Sequence, residues 1–388
     1  MKFFHLSDLH FGKMLHGYDL VEEQQAMIKS ITEMAEKEQP DAIVVAGDIY
    51  DRSVPSATAM TLLEDLFLAL DELSQRQKPI EVLIIAGNHD SAMRLSYGSA
   101  FLERHHIHIA VLPPQQEEEH ICKIVLQDES GNVNFYLLPY TKPGMVRHLP
   151  GTDEIQTSND AVSYLLQREK INWEERNVLV SHQFYAAAGK EPQQCDSESP
   201  RLFVGGLDIV DTNLIKDFDY VALGHIHSPQ KMGDEHIRYC GTLFPYSVSE
   251  AAQEKSIGVV ELGKKGEVSY RTLPVIPFRS VRKLRGNLSE LIQSGEVCHD
   301  YVSITLTDEE ILERPKEQLE RYYDHILEIR VENTRTKKIM EEETVDIQES
   351  TPLEAFRTFF KDSTGREMNA AEEEKLEKIL EEAGEEQK

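Results

Sequence analysis

The chain has 388 residues, of which 40% are hydrophobic, and its formal net charge at pH 7 is −28. This length exceeds what one hydrophobic core usually supports, so we expect two or three structural units. So acidic a composition excludes proteins that hold nucleic acid by bulk electrostatic attraction, because neutralising phosphates requires many lysines and arginines.

Up to about residue 270, short apolar runs alternate with amphipathic stretches. Several runs are apolar throughout, as strands covered on both faces are. The predicted strands lie at residues 3–6, 42–46, 82–86, 135–138, 178–180 and 220–223. Residues 21–37 and 59–75 carry helical periodicity. The pattern predicts an α/β layered domain around a mixed sheet.

A second unit is predicted after residues 273–277, where two prolines interrupt the pattern. Three strand candidates follow, at 280–284, 302–306 and 326–331. Residues 337–343 form a charged stretch typical of a linker, and an acidic helical segment follows it. We therefore expect three parts, namely a domain at 1–273, a small α/β domain at 274–336, and a linker with a helical tail at 337–388.

The cysteines and the hydropathy pattern indicate a cytoplasmic protein. The four cysteines are scattered without a C-x-x-C pair, so we expect reduced thiols. A strand predicted at residues 2–6 leaves no room for a signal peptide. No apolar run reaches the length needed to span a bilayer.

Metal-ligating residue types follow five of the predicted strands. The clusters are Asp8-Leu9-His10, the segment GDIYDR at 47–52, Gly87-Asn88-His89-Asp90, Ser181-His182 and Gly224-His225-Ile226-His227. In an open α/β sheet, functional groups gather beyond the carboxyl ends of the strands. The candidate ligands are therefore Asp8, His10, Asp48, Asn88, His182, His225 and His227.

Together these residues predict a two-metal hydrolase site. Two divalent ions bring four positive charges, of which Asp8 and Asp48 cancel two, and the remainder suits a phosphate diester. Two ions roughly 3.5–4 Å apart can activate a water and stabilise the transition state. Nitrogen and oxygen ligands without thiolate suit Mn²⁺, Fe²⁺ or Zn²⁺, and we favour Mn²⁺.

His89 is the candidate catalytic acid. It follows Asn88 directly, so we expect it to point away from the ions and towards the leaving oxygen. Asp51 is predicted to hold His89 in its protonated form. Arg52 is a candidate phosphate contact.

The order Asp-x-His, Gly-Asp-x-x-Asp-Arg, Gly-Asn-His-Asp, His and Gly-His-x-His resembles the signature of the calcineurin-like metallophosphoesterase superfamily. The segments MKFFHLSDLHFGK, GDIYDRSVPS, IAGNHDS, ALGHIHSPQ and YCGTLFPYS look like the SbcD family of bacterial exonuclease subunits. The resemblance implies a metallophosphoesterase sandwich with a small α/β capping domain and a C-terminal helical tail.

The resemblance also implies a division of the ligands between two ions. One ion would be held by Asp8, His10, Asp48 and His227. The other would be held by Asp48, Asn88, His182 and His225. His89 would be the catalytic histidine.

The activity implied by the resemblance is that of a DNA nuclease with double-strand exonuclease and single-strand or hairpin endonuclease activity. Such a nuclease is a homodimer that works in DNA repair, recombination and replication. Its partner is an SbcC-type ATPase, with two copies of each subunit, which controls access of DNA to the site.

Three surfaces are assigned by the same resemblance, each with an alternative. An apolar stripe within 59–75 either supplies the dimer helices or faces its own sheet; it contains Leu62, Leu63, Leu66, Phe67, Leu70 and Leu73. A basic cluster either contacts DNA or is a solvated strand face; it contains Arg279, Arg282, Lys283 and Arg285. The tail docks either on the ATPase or on the chain's own surface, through Leu353, Phe356, Phe359, Phe360, Leu376 and Leu380.

Two other functions fit parts of the sequence. One is a small-molecule phosphodiesterase or phosphatase of the same superfamily, which would need neither a capping domain nor a partner-binding tail. The other is a non-catalytic assembly subunit whose metal site only holds the fold, which would need neither His89 nor Asp51.

Overall fold

The computed structural model describes residues 1–152, 154–187, 190–198, 208–293 and 295–334, with short stretches at 356–357, 360–361, 366–369, 372–373 and 375–376. The predicted linker at 337–343 lies outside these residues, as do Leu353, Phe359 and Leu380. Across the described part of the chain, no helix combines the length and apolar character that crossing a membrane requires.

Strands outnumber α-helices in the described part of the chain. The strands are β1 (Lys2–Leu6), β2 (Met14–Leu15), β3 (Tyr18–Asp19), β4 (Ala42–Ala46), β5 (Glu81–Ile85), β6 (Ile107–Ala110), β7 (Cys122–Asp128), β8 (Gly131–Leu138), β9 (Arg176–Ser181), β10 (Phe184–Ala186), β11 (Ile209–Asp211), β12 (Tyr220–Leu223), β13 (Gln230–Met232), β14 (Asp234–Tyr239), β15 (Ser256–Leu262), β16 (Val268–Pro274), β17 (Val281–Gly286), β18 (Cys298–Leu306) and β19 (Tyr323–Val331). The α-helices are α1 (Val21–Glu38), α2 (Ala57–Arg76), α3 (Ala92–Leu95), α4 (Ser99–Leu102), α5 (Ser158–Arg168), α6 (Leu288–Leu291) and α7 (Pro315–Leu319).

Two six-stranded mixed sheets form the main layers. The first has the order β16-β15-β1-β4-β5-β6, and β1, β4, β5 and β6 are parallel in it. The second has the order β13-β14-β12-β9-β8-β7, with β14, β12, β9 and β8 parallel. The two sheets confirm the α/β layered architecture and the sandwich that the family resemblance implies.

A buried apolar layer joins the two sheets. It includes Phe3, Val44, Leu83, Phe135, Val178 and Tyr220. The rings of Phe3 and Phe135 meet edge to face with their centroids 5.3 Å apart. Helices α1 and α2 cover the outer face of the first sheet, and α5 covers that of the second. The central strands are thus buried on both faces, which explains why their sequences contain short apolar runs.

The apolar stripe of α2 belongs to the core of its own unit. Leu62, Leu63, Leu66, Leu70 and Leu73 are all buried against the first sheet, and Phe67 packs there half-buried. Burying each leucine stabilises the fold by about 1.5–3 kcal/mol. These leucines are therefore not available to a second copy of the chain, which corrects the dimer assignment of the stripe.

Contact density divides the chain into two units. The first contains Met1–Lys283 and His299–Ser303, and the second contains Leu284–Cys298 and the described residues from Ile304 onwards. Strands β17, β18 and β19 form a three-stranded sheet in that order. The division of the chain at residues 273/274 and 336/337 stays a prediction.

Candidate metal centre

All seven predicted ligands lie just beyond the carboxyl ends of parallel strands in the first unit. Asp8 and His10 follow β1, Asp48 follows β4, and Asn88 follows β5. In the second sheet, the remaining three histidines follow the neighbouring strands β9 and β12. Within each sheet, the parallel strands place their ligands beyond the same edge. The ligands of the two sheets also lie close together, so both edges are at the same end of the sandwich.

The first ligand group consists of Asp8, His10 and His227. Their ligand atoms lie within 4.8 Å of one another, and all three residues are buried. The Nε2 atoms of His10 and His227 face each other at 3.1 Å. Two imidazoles at right angles on one ion, with bonds of about 2.1 Å, have their nitrogens about 3 Å apart. The pair is thus spaced as two ligands of one ion are.

The second ligand group consists of Asp48, His182 and His225, whose ligand atoms also lie within 4.8 Å of one another. Asn88 joins this group through its side-chain oxygen. That oxygen lies 2.8 Å from Nδ1 of His225 and 3.2 Å from Nε2 of His182.

Asp48 lies between the two groups. Its Oδ2 atom is 3.3 Å from Nε2 of His182 and 3.8 Å from Nε2 of His10. Its Oδ1 atom accepts a hydrogen bond of 2.9 Å from the backbone N–H of His89. A carboxylate held in this position can coordinate an ion in each group, as a bridging ligand does.

Burial and crowding shift the pKa values of these groups. Burial lowers the pKa of His10 well below its ordinary value, so its ring is neutral and carries a lone pair. Its Nδ1 atom is buried without a hydrogen-bond partner among the described residues. Burial also raises the pKa of Asp8, and the Asp48 carboxylate adds to that rise. A divalent ion would relieve both the crowded carboxylates and the facing lone pairs, so the residues present fit such ions.

His89 is oriented by a backbone carbonyl. Its Nδ1 atom lies 2.7 Å from the carbonyl oxygen of Asp51. Its Nε2 atom lies 3.9 Å from Oδ2 of Asp48, at the edge of the ligand groups. The ring therefore faces the ligand groups, and the expectation that it points away from the ions is corrected. The carboxylate of Asp51 instead forms an ion pair of 2.7 Å with Lys13. Asp51 thus contacts His89 through its backbone carbonyl and Lys13 through its side chain.

Four of the ligands have a backbone conformation that side chains rarely adopt. The φ angles of Asp8, His10, Asp48 and His225 are 53°, 45°, 51° and 92°. Positive φ strains a residue that has a Cβ atom. The surrounding hydrogen bonds hold these turns in place: His10 donates its backbone N–H to the carbonyl of Asp48, and Asp8 donates to that of Gly47.

Asp90 ties together the loops that follow β4 and β5, a role that was not predicted from the sequence. Its carboxylate accepts hydrogen bonds from the backbone N–H groups of Ile49, Tyr50 and Gly87 at 3.1, 2.9 and 2.9 Å. Burial raises its pKa to about 6. The signal available in the sequence was its place in the Gly-Asn-His-Asp cluster.

The predicted DNA-contacting residues have different surroundings. Arg279 pairs with Glu22 at 2.6 Å and with Glu23 at 2.7 Å, and its side chain is 19% exposed. Arg282, Lys283 and Arg285 are exposed on β17, and Arg52 is exposed beside Asp51. In the tail, Phe356 is exposed, Phe360 is half-buried and Leu376 is buried.

Comparison with known proteins gives a consistent result along the chain. Residues 1–229 match the family model described as calcineurin-like phosphoesterase. Residues 277–364 match the model described as the type 5 capsule protein repressor C-terminal domain.

Two staphylococcal proteins, each named as the SbcD subunit of the nuclease SbcCD, are similar over nearly the whole length. The one from Staphylococcus saprophyticus is 30% identical over 385 residues, which cover 98% of both proteins. The one from Staphylococcus epidermidis is 29% identical over 385 residues, again 98% of both. A solved dimetal phosphatase from Danio rerio aligns with 71% of this chain and 97% of its own at 12% identity. Its TM-score of 0.37 is too low to add to the family assignment.

Proposed function

Because the chain belongs to the calcineurin-like phosphoesterase family and to its SbcD branch, it is a metal-dependent phosphodiesterase, and we propose that its substrate is DNA. The observation that carries the proposal is the pair of ligand groups on either side of Asp48. The full-length similarity to proteins named as nuclease subunits supports DNA over a small phosphate ester.

We propose that two divalent ions, with Mn²⁺ favoured, occupy the centre. One would be held by Asp8, His10, Asp48 and His227, and the other by Asp48, Asn88, His182 and His225. When bound, such a pair supplies an activated water and stabilises the charge that develops on the phosphate.

His89 is proposed as the general acid that donates a proton to the leaving oxygen. The Nδ1–H of its ring donates to the Asp51 carbonyl, which leaves Nε2 directed towards the ligand groups. A general acid in this position contributes about 10²–10⁴-fold to the rate. Asp51 acts on His89 through its backbone, and Lys13 keeps the Asp51 side chain in place.

DNA contacts are proposed for Arg52, Arg282, Lys283 and Arg285, whose side chains are exposed. Arg279 is left out of this set, since two glutamates already neutralise it. Three of the four also pair with an acidic side chain, Arg52 with Asp51, Arg282 with Asp300 and Arg285 with Glu332. Because DNA must compete with these carboxylates and the chain has a net charge of −28, the isolated protein is expected to bind duplex DNA weakly.

The proposed assembly is two copies of this chain with two copies of an SbcC-type ATPase, acting on DNA in the cytoplasm and nucleoid during repair, recombination and replication. The exposed side of α2 is proposed as part of the homodimer contact, because Met60 and Leu68 are more than half exposed there, at 51% and 55%. The tail, including Phe356 and Phe360, is proposed to bind the ATPase.

Cleavage of end-labelled linear duplex DNA and of bis-p-nitrophenyl phosphate, each with Mn²⁺, tests this function. We expect the wild type to degrade the DNA and Asp48→Ala to leave both substrates intact. Hydrolysis of the small diester without any cleavage of DNA, even after the ATPase is added, would favour the small-molecule phosphodiesterase.

A further inference from the structure

A chain of hydrogen bonds leads from the ring of His227 to a buried carboxylate. The Oγ atom of Ser197 lies 2.6 Å from Nδ1 of His227 and 2.5 Å from Oε1 of Glu250. A hydroxyl has one proton to donate, and a carboxylate can only accept. Ser197 therefore donates to Glu250 and accepts from Nδ1–H of His227. This arrangement leaves the lone pair of His227 on Nε2, which faces His10.

The carboxylate at the end of this chain is held firmly. Glu250 is fully buried, and its Oε2 atom lies 2.6 Å from Nζ of Lys255 and 3.0 Å from Oγ1 of Thr242. Lys255 is itself buried, and it also donates to Oγ1 of Thr242 at 2.7 Å. A buried glutamate with a buried lysine beside it stays charged and keeps one orientation, so it remains an acceptor for Ser197.

The backbone of His227 is held from the same short segment. The carboxylate of Glu198, the residue after Ser197, accepts the backbone N–H of His227 at 2.9 Å. Lys255 also donates to the carbonyl oxygen of His227 at 3.2 Å. The ring and both backbone polar groups of His227 are thus fixed by residues that are not themselves ligands.

We propose that Ser197 and Glu250 are positioning residues that fix the tautomer and the direction of the His227 ring for metal binding. The inference rests on the proposed two-ion centre and concerns only the ion next to His10. Partners of this kind orient a ligating histidine, and removing one weakens metal affinity about 10- to 100-fold. His182 offers the contrast, because its Nδ1 atom is held by the backbone carbonyl of Ala46 at 2.6 Å. No side-chain substitution removes that carbonyl.

Calorimetric titration of the metal-free full chain with Mn²⁺ tests this hydrogen-bond chain from His227 through Ser197 to Glu250, called the relay below. We expect Ser197→Ala to weaken one of the two ions about 10- to 100-fold and to leave the other unchanged. Ser197→Thr, which restores a hydroxyl, should recover most of the affinity. Glu250→Gln, which keeps the shape but can donate to Ser197, should weaken the same ion. Ser30→Ala removes a hydroxyl on α1 that donates to the carbonyl of Ala26, and serves as the control.

A second readout separates positioning from loss of structure. In the Zn²⁺-loaded, ¹⁵N-histidine-labelled wild type, the Nδ1–H protons of His227 and His182 should both be protected from exchange with water. Ser197→Ala should expose the His227 proton and leave that of His182 protected.

The outcomes distinguish failure of the relay from failure of the two-ion centre on which it rests. Two ions bound with equal affinity by the wild type and Ser197→Ala, with the His227 proton unchanged, would overturn the relay alone. A wild type that binds fewer than two ions would overturn the proposed centre and the relay with it. Equal weakening of both ions in Ser197→Ala, with both protons exposed, would show a structural role and also overturn the relay.

Discussion

The ring of His89 bonds to the backbone of Asp51, with 2.7 Å between Nδ1 and the carbonyl oxygen. Every substitution at position 51 keeps the backbone carbonyl, whereas a substitution such as Asp51→Asn removes the side-chain carboxylate. The two residues are therefore expected to respond very differently to mutation, although both were predicted as catalytic from the sequence.

Substituting His89→Gln is expected to lower the cleavage rate about 10²–10⁴-fold, because glutamine cannot supply a proton to the leaving oxygen. The backbone N–H that bonds Asp48 is kept, so both ions should still bind. Single-turnover cleavage with saturating Mn²⁺, beside a calorimetric count of bound ions, measures both effects. Full activity in this variant would remove His89 from the mechanism.

Substituting Asp51→Asn is expected to have a much smaller effect, about tenfold or less. The contact to His89 remains, and the substitution removes the charge that pairs with Lys13 at 2.7 Å and with the exposed Arg52 at 3.5 Å. The loss is comparable to that of one hydrogen bond to a charged group. The same single-turnover assay compares the two variants directly. A loss as large as that of His89→Gln would show that the carboxylate takes part in the reaction.

Substituting Gly224→Ala is expected to disable the metal centre. An added Cβ would lie 1.9 Å from the carbonyl oxygen of Ala46 and 2.8 Å from Nδ1 of His182. The strand end must shift to relieve these contacts, at a cost of about 1–3 kcal/mol or more, and His225 moves with it. Denaturant unfolding and Mn²⁺ titration report the two effects. Gly144→Ala, where an added Cβ meets nothing within 4 Å, should change neither.

Substituting Arg279→Ala is expected to destabilise the protein by about 3 kcal/mol, because it removes the guanidinium that pairs with the buried carboxylate of Glu23. The double substitution Arg282→Ala with Lys283→Ala should leave stability unchanged and weaken DNA binding. It should also reduce the slope of log affinity against log salt by about 2. Unfolding curves and salt-dependent binding to duplex DNA separate these roles. A larger change of slope for Arg279→Ala than for the double variant would contradict the assignment.

The metal ligands could be predicted because each follows an apolar strand, and the carboxyl ends of parallel strands meet in one place. Strands β4 and β12 are apolar throughout, and β1 and β9 each contain a short apolar run that marks them in the sequence. The edge strands β7 and β16 are largely exposed or half-exposed and lack this pattern, so they were missed.

Two sets of contacts could not be predicted from the sequence. Ser197 and Glu250 are 53 residues apart, and neither lies in a periodic segment or a motif. The α2 leucines did carry a clear pattern, but helical periodicity shows only that a face is buried and not what covers it. Both depend on tertiary contacts that a single sequence does not contain.

At four ligand positions, the requirements of stability and activity conflict, because the backbone there has a positive φ angle; these are Asp8, His10, Asp48 and His225. Glycine at any of them would relax the backbone, each by about 1–3 kcal/mol at most, while removing a ligand. Screening variants of this chain for heat resistance alone would therefore favour inactive proteins at these sites. Thermostable and active variants should be sought elsewhere in the fold.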